Sequence, residues 1–357
     1  MASAVPLNAP RTDPAPVLDL LRTTHATELL VAAVAHLGVF GLLSEAPLRR
    51  EDLRDRLHLA DRATHVLVTA LRAMDLLAVD TRGRLTLSTL AAEHLGPGSP
   101  FDLSDYAGLA ATAPGVLSMV ERLRTNRPLG MDRPRAGTAF ISRAGSPSAM
   151  EHPELARHFT LALAGRSRAV APIAADRLPV GDARIVLDIG GGTGLYSLAL
   201  LQRHRGLRAI VLDRPQVLRV TKELATEDEV GNRLECVPGD MFVDALPEAD
   251  VILLSNVLHD WDVPDCRRLV GRCAAILPPG GKLVVHDTFL HDELDGPLAV
   301  ALYSAALFSR TEGRAYSAAE CATWLREAGL TVQDPIATLA HSSLLVGWKR
   351  AGAGTTG

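Results

Sequence analysis

The segment from Val186 to Leu195, which reads VLDIGGGTGL, constrains the fold of this chain more than any other feature. The apolar residues up to Ile189 predict a buried strand, and the glycines that follow allow the backbone to turn sharply and to approach a ligand closely. The pattern that begins at Leu195 predicts a helix whose first N–H groups point towards the turn. This order of strand, tight turn and helix is typical of α/β domains.

Strands and helices continue to alternate through the second half of the chain. The predicted strands are Ile185–Ile189, Arg208–Leu212, Leu234–Pro238, Val251–Ser255, Lys282–Asp287, Thr331–Pro335 and Ser343–Trp348. Alternation of this kind predicts a mostly parallel sheet with helices on both faces. Ligands bind such sheets at the carboxyl ends of the strands, where the glycine turn lies. We therefore predict an α/β domain over residues 179–350.

The first half of the chain is predicted to be mostly helical. Residues 1–16 are rich in Pro and Ala and predict a disordered tail. Leu18–Leu43 predicts a helix that is apolar around most of its surface and therefore needs cover from several sides, such as a partner subunit. Two short helices, Arg49–Leu59 and Arg62–Leu77, and a hairpin at Leu76–Leu87 then give the element order of a winged helix.

A winged helix can bind DNA or serve as a dimerisation module. Arg62, His65 and Arg72 lie on its second short helix, but their surroundings are acidic as well as basic and the chain has a net charge of −4. Nucleic-acid-binding domains usually carry a basic stripe. We therefore predict a dimerisation domain over residues 17–100, with no nucleic-acid partner. Residues 101–178 are predicted to form a helical linker and substrate-pocket region.

The N-terminus and the cysteines predict a cytoplasmic protein. The first residues lack the basic-then-apolar order of a signal peptide. No apolar run reaches the ~20 residues of a membrane span, so no membrane partner is expected. No CxxC pair and no metal site is predicted from the four cysteines, which are Cys236, Cys266, Cys273 and Cys321.

The glycine turn does not fit the dinucleotide fingerprint G-x-G-x-x-G/A. From Gly190, Gly191 or Gly192, every register places another residue at one of the required glycine positions. Asp213, after the second strand, could accept hydrogen bonds from a ribose or cap a turn. Asp240, after the third strand, could accept from an adenine amino group. A cofactor with a sulfonium and an amino-acid tail in place of phosphates agrees with this pattern.

These motifs together resemble a known family. The segments VLDIGGGTG, VLDRPQV, PGDMFV, LSNVLHDWDVPDC and ILPPGGKLVVHD are similar, in this order, to those of the S-adenosylmethionine-dependent O-methyltransferases of the plant caffeate and bacterial polyketide type. The resemblance covers about residues 15–350. It implies a Rossmann-like catalytic domain, a mostly α winged-helix dimerisation domain, a homodimer, and S-adenosyl-L-methionine as the cofactor.

The resemblance also implies which residues form the site. The cofactor-binding residues would be Asp188, Gly190, Gly192, Asp213, Asp240, Met241, Phe242 and Ser255, although plant members often have Lys at the position of Ser255. The predicted substrate-binding residues are Met131, Phe140, Asp260, Tyr303 and Arg310.

The family's catalytic base matches His259, which follows the fourth strand, and the acid that orients it matches Asp287, at the end of the fifth. A phenol has a pKa of about 10, so a base with a pKa near neutrality assists its methylation. The predicted function is O-methylation of a small aromatic or polyketide-type hydroxyl in secondary metabolism, such as antibiotic biosynthesis.

One departure from the family pattern leaves alternatives open. Many members have a second acid in a GGKERT-like segment, where this chain has Ala315 within EGRAYS. C-methylation of an aromatic ring or an α-keto acid is therefore an alternative, as is a relative that binds the cofactor without transferring its methyl group. A DNA-binding regulator that uses the winged helix is the alternative from a different class.

Overall fold

The chain forms two compact units in the computed structural model, which describes residues 7–128 and 148–350. Of these described residues, 7–16, 148–289 and 318–350 form an α/β unit, and 17–128 and 290–317 form a helical unit. The predicted domain boundaries differ from this division in two places. Residues 148–178 group with the sheet, and residues 290–317 group with the helical unit.

The helices and strands are labelled in chain order. The α-helices are α1 (Ala15–Arg22), α2 (Thr24–Val31), α3 (Val39–Glu45), α4 (Arg50–Leu57), α5 (Asp61–Ala73), α6 (Thr89–His94), α7 (Ser104–Gly108), α8 (Pro114–Thr125), α9 (Pro153–Arg177), α10 (Leu195–Arg203), α11 (Pro215–Thr226), α12 (Val263–Ile276), α13 (Leu298–Phe308) and α14 (Ala318–Glu327). The strands are β1 (Leu77–Val79), β2 (Leu85–Leu87), β3 (Ile185–Ile189), β4 (Arg208–Asp213), β5 (Leu234–Pro238), β6 (Val251–Ser255), β7 (Lys282–Thr288), β8 (Leu330–Val332), β9 (Ile336–Ala337) and β10 (Ser342–Lys349). Each predicted strand is present, but the one predicted over 331–335 ends early as β8, and β9 begins only after that range.

The prediction of one helix over 18–43 is wrong. The chain there forms α1, α2, a π-helical segment at Ala32–His36, and α3. Gly38 has φ +63°, a left-handed conformation that glycine adopts without steric strain, and α3 begins directly after it. The breaks allow this apolar stretch to cover itself, because Leu29, Val39 and Phe40 are all buried in one core of the helical unit.

Arg62 at the start of α5 points into the helical unit. Its side chain is only 6% exposed, and its guanidinium donates to Asn126 Oδ1 (2.9 Å) and to the carbonyl oxygens of Thr311 (2.8 Å) and Gly313 (3.2 Å). The same guanidinium lies 4.6 Å from the centroid of the Phe308 ring. Arg62 therefore joins α5 to the chain that follows α13.

The other two basic residues of this helix are also engaged within the helical unit. Arg72 donates to the carbonyl oxygen of Glu293. His65 Nε2 lies 3.6 Å from Asp61 Oδ2, and burial, together with the positive charges of Arg314 and Arg50, lowers the pKa of His65 to about 2. His65 is therefore neutral at physiological pH. All three basic residues of α5 therefore have contacts within the helical unit.

The α/β unit is built on a sheet with strand order β5-β4-β3-β6-β7-β10-β8, with β9 paired to β10. β3 pairs in parallel with both β4 and β6, so the chain winds outwards from the centre in both directions. β10 is antiparallel to β7 and β8. This mostly parallel sheet confirms the predicted fold class.

The strands at the centre of the sheet are apolar because helices cover both faces. Every residue of β6 is buried, and α9 and α10 bury residues against β3, among them Ala171, Tyr196 and Leu200. The strand order reverses between β3 and β6, and a crevice at such a switch point is where doubly wound sheets bind ligands. The glycine turn lies at this point.

The predicted disordered tail does not hold for residues 7–14. The Leu7 N–H donates to Gln202 Oε1 (3.1 Å), and Asp13 Oδ1 accepts from the Ala340 N–H (3.1 Å). These bonds tie the segment to the α/β unit.

No single helix of the described chain is both long and apolar enough to cross a membrane. Residues 15–36 and 39–45 meet that length and composition only when they are counted together, across a bend of 59°.

Replacing Arg62 with Met should lower the free energy of unfolding by about 3 kcal/mol, because buried carbonyl groups would lose their charged donor. Arg56→Met is the matched control, since Arg56 is 54% exposed and pairs only loosely with Glu45, at 3.7 Å. The control should cost less than about 0.5 kcal/mol. Urea denaturation followed by circular dichroism measures both, and equal losses would contradict the role given to Arg62.

Candidate active site

The turn between β3 and α10 requires glycine at several positions. Gly190, Gly192 and Gly194 have φ values of +66°, +57° and +72°, which side chains with a Cβ rarely adopt. A Cβ at Gly194 would also lie 2.7 Å from Thr221 Cγ2. A Cβ added at Gly192 would have no atom of the described chain within 4 Å, apart from those of the adjoining residues. The turn is therefore open on that side.

The backbone of Gly192 is held by two neighbouring elements. Its N–H donates to Asp213 Oδ2 at the end of β4 (2.8 Å), and its carbonyl oxygen accepts from Thr221 Oγ1 on α11 (2.5 Å). Burial raises the pKa of Asp213, while the N–H groups of Gly192 and Arg214 act in the opposite direction. The turn is therefore fixed in shape by the protein itself.

Asp188 lies fully buried against the same turn. Its Oδ2 accepts from Ser197 Oγ (2.8 Å), and its Oδ1 has no hydrogen-bond partner within the described part of the chain. Burial raises the pKa of Asp188 to about 7, although the hydrogen bond from Ser197 opposes this. A Cβ at Gly191 would lie 2.7 Å from Asp188 Cγ, which shows how closely the carboxyl group packs on the turn.

The residues that follow β5, from Asp240 to Phe242, form a partly apolar surface, which we call the Phe242 ledge. Asp240 Oδ2 accepts from Arg214 Nη2 (2.9 Å), and its Oδ1 accepts from the Phe242 N–H (2.8 Å). The Phe242 ring packs edge-to-face on Trp261, with centroids 4.6 Å apart. Met241, between Asp240 and Phe242, is half-buried.

These residues fit S-adenosylmethionine better than a phosphate-bearing cofactor. Asp188, Asp213 and Asp240 place three carboxyl groups around a turn whose backbone is open at Gly192. Carboxylates accept hydrogen bonds from ribose hydroxyls and amino groups and attract a sulfonium, but they repel phosphates. The Phe242 ledge offers an apolar surface for an aromatic base.

His259 is held by an acid from the neighbouring strand. It lies in a short 3₁₀ turn after β6, its side chain is 6% exposed, and its Nδ1 lies 2.6 Å from Asp287 Oδ1 on β7. β6 and β7 are parallel neighbours, so their carboxyl ends bring the two residues together. On the other side of the ring, Nε2 lies 3.7 Å from Asp260 Oδ1.

The two acids beside His259 have opposite pKa shifts. Burial would raise the pKa of Asp287, but the charge and the hydrogen bond of His259 outweigh it and lower that pKa below its usual value. Burial raises the pKa of Asp260 to about 6, with the charge of His259 opposing and that of Asp287 adding to the rise. Asp287 is therefore a fixed anion, whereas Asp260 titrates near neutrality.

Ser255, at the end of β6, takes part in a buried hydrogen-bond network. Its Oγ lies 3.0 Å from His286 Nδ1 and accepts from Asn256 Nδ2 (3.0 Å). The amide of Asn256 also reaches the Tyr196 hydroxyl, at 3.5 Å. Sequence reasoning missed His286, Asn256 and Tyr196. The one signal that could have found them is their position beside motif residues at the ends of β6, β7 and the glycine turn.

The remaining predicted residues belong to the helical unit or lie outside the described chain. Met131 and Phe140 are outside the described residues. Tyr303 and Arg310 belong to the helical unit, where Tyr303 stacks under the Arg22 guanidinium (4.2 Å) and Arg310 is exposed.

Ala315 is also in the helical unit and is buried, with its N–H donating to Ser304 Oγ (3.1 Å). Within the described ranges, no group of three or more His, Cys, Asp or Glu side chains could hold a metal ion.

The chain is similar to known proteins along most of its length. A family model described as an O-methyltransferase domain matches residues 145–331. The 3-hydroxy-5-methyl-1-naphthoate 3-O-methyltransferase of Streptomyces sahachiroi is 30% identical over 319 residues, which cover 88% of this chain and 89% of that protein. The tetracenomycin polyketide synthesis 8-O-methyltransferase of Streptomyces glaucescens is 29% identical over 339 residues, covering 94% and 97%.

A solved structure is also similar along nearly the whole chain. The O-methyltransferase family 2 protein from Planctomyces limnophilus, crystallised in complex with apigenin, is 46% identical with a TM-score of 0.88. The match covers 98% of this chain and 100% of that one.

Asp188→Asn should make stability less dependent on pH. The folded pKa of about 7 lies above the value of about 4 expected in the unfolded chain, so ionisation of Asp188 destabilises the fold as pH rises through that interval. Between pH 4 and 7 the wild type should lose up to about 4 kcal/mol relative to the variant. Urea denaturation across this range, with Asp105→Asn as the control at an exposed carboxylate, measures the difference. Parallel curves for wild type and Asp188→Asn would contradict it.

Proposed function

The chain belongs to the O-methyltransferase family and uses S-adenosylmethionine, and from this we propose that it methylates a hydroxyl of a small aromatic or polyketide-type metabolite with His259 as the general base. The observation that carries the proposal is the 2.6 Å hydrogen bond between His259 Nδ1 and Asp287. An anionic acceptor on Nδ1 keeps the proton on that nitrogen, so the lone pair of Nε2 is left to accept a proton.

The charges around the imidazole ring favour transfer of the acceptor's proton to Nε2. As the acceptor hydroxyl loses its proton to Nε2, the imidazole becomes positive, and Asp287 stabilises that charge at hydrogen-bond distance. Asp260, whose Oδ1 is 3.7 Å from Nε2, lies on the side where the acceptor must bind and adds a second negative charge once it ionises. We therefore assign Asp260 to acceptor binding, as the sequence predicts.

The cofactor supplies an activated methyl group, so the chain needs mainly to hold it in line with the acceptor oxygen. We place it on the glycine turn, with Asp213 accepting from the ribose hydroxyls and Asp240 from the adenine amino group. The fixed backbone of Gly192 and the Phe242 ledge support this placement. Asp188 supports the turn and adds negative charge that a sulfonium offsets.

The class of acceptor is proposed from relatives. One is named as a 3-O-methyltransferase of a hydroxynaphthoate, another as an 8-O-methyltransferase of tetracenomycin polyketide synthesis, and a third protein was crystallised with apigenin. All three names point to hydroxylated ring systems, for which a base near neutrality is useful because the phenol pKa is about 10.

His259→Ala should reduce kcat at least about 100-fold, the usual contribution of a general base, while the Kd for S-adenosylhomocysteine changes less than about twofold. Asp287→Asn should also reduce kcat, by at least about tenfold, because the imidazolium loses its anionic partner. Apigenin and 3-hydroxy-5-methyl-1-naphthoate are the probe acceptors. Product from isotopically labelled methyl distinguishes O- from C-methylation.

The exposed His158 on α9 provides the control, His158→Ala, which should retain wild-type turnover. Wild-type kcat in His259→Ala would remove the base from this mechanism. A product labelled on carbon would overturn the proposed O-methylation.

We also propose that the helical unit pairs with a second copy of this chain. Large apolar side chains are exposed in two clusters, on α1 (Val17, Leu20 and Leu21, 64–73% exposed) and around α7 (Phe101, Leu103, Tyr106 and Leu109, 51–80% exposed). Apolar surface of this kind is usually covered by a partner. A second copy is the occupant we commit to, as the family resemblance implies.

The double variant Leu20→Glu with Leu109→Glu should shift the protein from dimer to monomer in light scattering after size exclusion, because each substitution would bury a charge in the interface. Leu161→Glu, at a 39% exposed position on α9 of the α/β unit, is the control. A wild-type chain that is monomeric at micromolar concentration would contradict the proposed dimer.

A further inference from the structure

The buried network that begins at His286 has a direction that the geometry determines. Thr338 Oγ1 lies 2.8 Å from the carbonyl oxygen of Ser342, which can only accept, so the Thr338 hydroxyl donates there. That hydroxyl has no second proton, and His286 Nε2, 3.1 Å from Thr338 Oγ1, must therefore be the donor of the next bond. His286 is thus neutral and protonated on Nε2.

The remaining bonds follow from that tautomer. His286 Nδ1 has only a lone pair, so the Ser255 hydroxyl donates to it across 3.0 Å. The oxygen of Ser255 then accepts from the amide of Asn256, which also faces the Tyr196 hydroxyl. Asn256 therefore donates to Ser255, and Ser255 donates to His286. His286 in turn donates to Thr338, which donates to the carbonyl oxygen of Ser342.

This chain of hydrogen bonds connects the sheet to the cofactor edge. Ser255 and His286 are register partners on β6 and β7, and Tyr196 lies in the first turn of α10, directly after the glycine turn. Asn256 has φ +57°, a conformation in which a non-glycine side chain needs support from its surroundings. Its amide group is directed towards Ser255 and Tyr196, so its carbonyl oxygen is turned away from them.

We propose that His286 is a positioning residue of the cofactor site: held as the Nε2–H tautomer by Thr338, it orients the Ser255 hydroxyl and, through it, the side chain of Asn256 at the carboxyl end of β6. It acts on cofactor binding and not on proton transfer, because successive strand residues point to opposite faces, and of the neighbours His286 and Asp287 it is Asp287 that is hydrogen-bonded to His259. The proposal rests on the placement of the cofactor at the glycine turn. Burial, which lowers the pKa of His286 to about 4, agrees with a neutral imidazole.

Thr338→Val tests the proposal, because it removes the acceptor of the Nε2 proton at a half-buried position, while Thr338→Ser keeps the hydroxyl and is the matched control. The valine variant should raise both the KM for S-adenosylmethionine and the Kd for S-adenosylhomocysteine about fivefold, which is the usual effect of one hydrogen bond, with kcat within about twofold. The serine variant should match the wild type. His286→Leu, which removes the acceptor of the Ser255 hydroxyl, provides the second test if the valine variant does not fold, and it should show the same separation of KM from kcat.

Histidine tautomers are read directly from long-range ¹H–¹⁵N correlation spectra of [¹⁵N]histidine-labelled protein, with His286 assigned by comparison with His286→Gln. The wild type and Thr338→Ser should show the Nε2–H tautomer at neutral pH, and Thr338→Val should lose it.

An Nδ1–H tautomer in the wild type would overturn the proposal. So would an altered tautomer in Thr338→Val with unchanged KM and Kd, or a fall in kcat alone. The tautomer of His286 is measured without a methyl-acceptor substrate, so this readout does not depend on His259. Loss of activity in His259→Ala tests the proposed base separately.

Discussion

The two hydrogen bonds that hold the backbone of Gly192 are the constraint on which the cofactor site depends. Its N–H is bound by a carboxylate at the end of β4, and its carbonyl oxygen by a hydroxyl on α11. With both polar groups satisfied, neither of the two peptide planes that meet at Gly192 can rotate without breaking a hydrogen bond. The glycines supply conformations that other residues avoid, and the neighbouring strand and helix select one of them.

Carboxyl groups are concentrated along one edge of the sheet. Asp188, Asp213 and Asp240 surround the glycine turn, and Asp260 and Asp287 flank His259. Burial raises the pKa of three of them, Asp188, Asp213 and Asp260, because the charged form of each carboxyl group loses hydration there. A positively charged cofactor and a transient imidazolium both suit such an environment, because each lowers the cost of the buried carboxylates.

The sequence predicted the α/β unit well because its strands are buried on both faces and read as short apolar runs between helices. The glycine turn, His259 and Asp287 were found because each directly follows or ends such a run. The N-terminal helices were predicted less well, since the breaks before α2 and α3 depend on how Leu29, Val39 and Phe40 pack together. Composition could not show that residues 290–317 return to the helical unit. The hydrogen bonds of Arg62 and Arg72 that hold this segment join residues more than 200 positions apart in the sequence.

The contacts of Ser197, Thr221 and Asn256 were not predictable for a related reason. Each is a small polar residue, and such residues occur equally often at helix surfaces, caps and turns. Their partners are specified by the register of the sheet and not by local spacing. Only after β3, β4, β6 and β7 are aligned does it become clear which acceptor each hydroxyl or amide meets.

The position of β10 has a consequence for how the sheet is assembled. β10 follows β8 and β9 along the chain, yet it lies between β7 and β8. β8 therefore has no hydrogen-bonded place in the sheet until residues that come after it have paired with β7. Sequential, strand-by-strand growth during synthesis can build β3 to β7 but cannot complete this edge. Until β10 pairs, the open backbone of β7 is a template for strands of other chains, so the speed of that one insertion sets how long the nascent protein is exposed to aggregation.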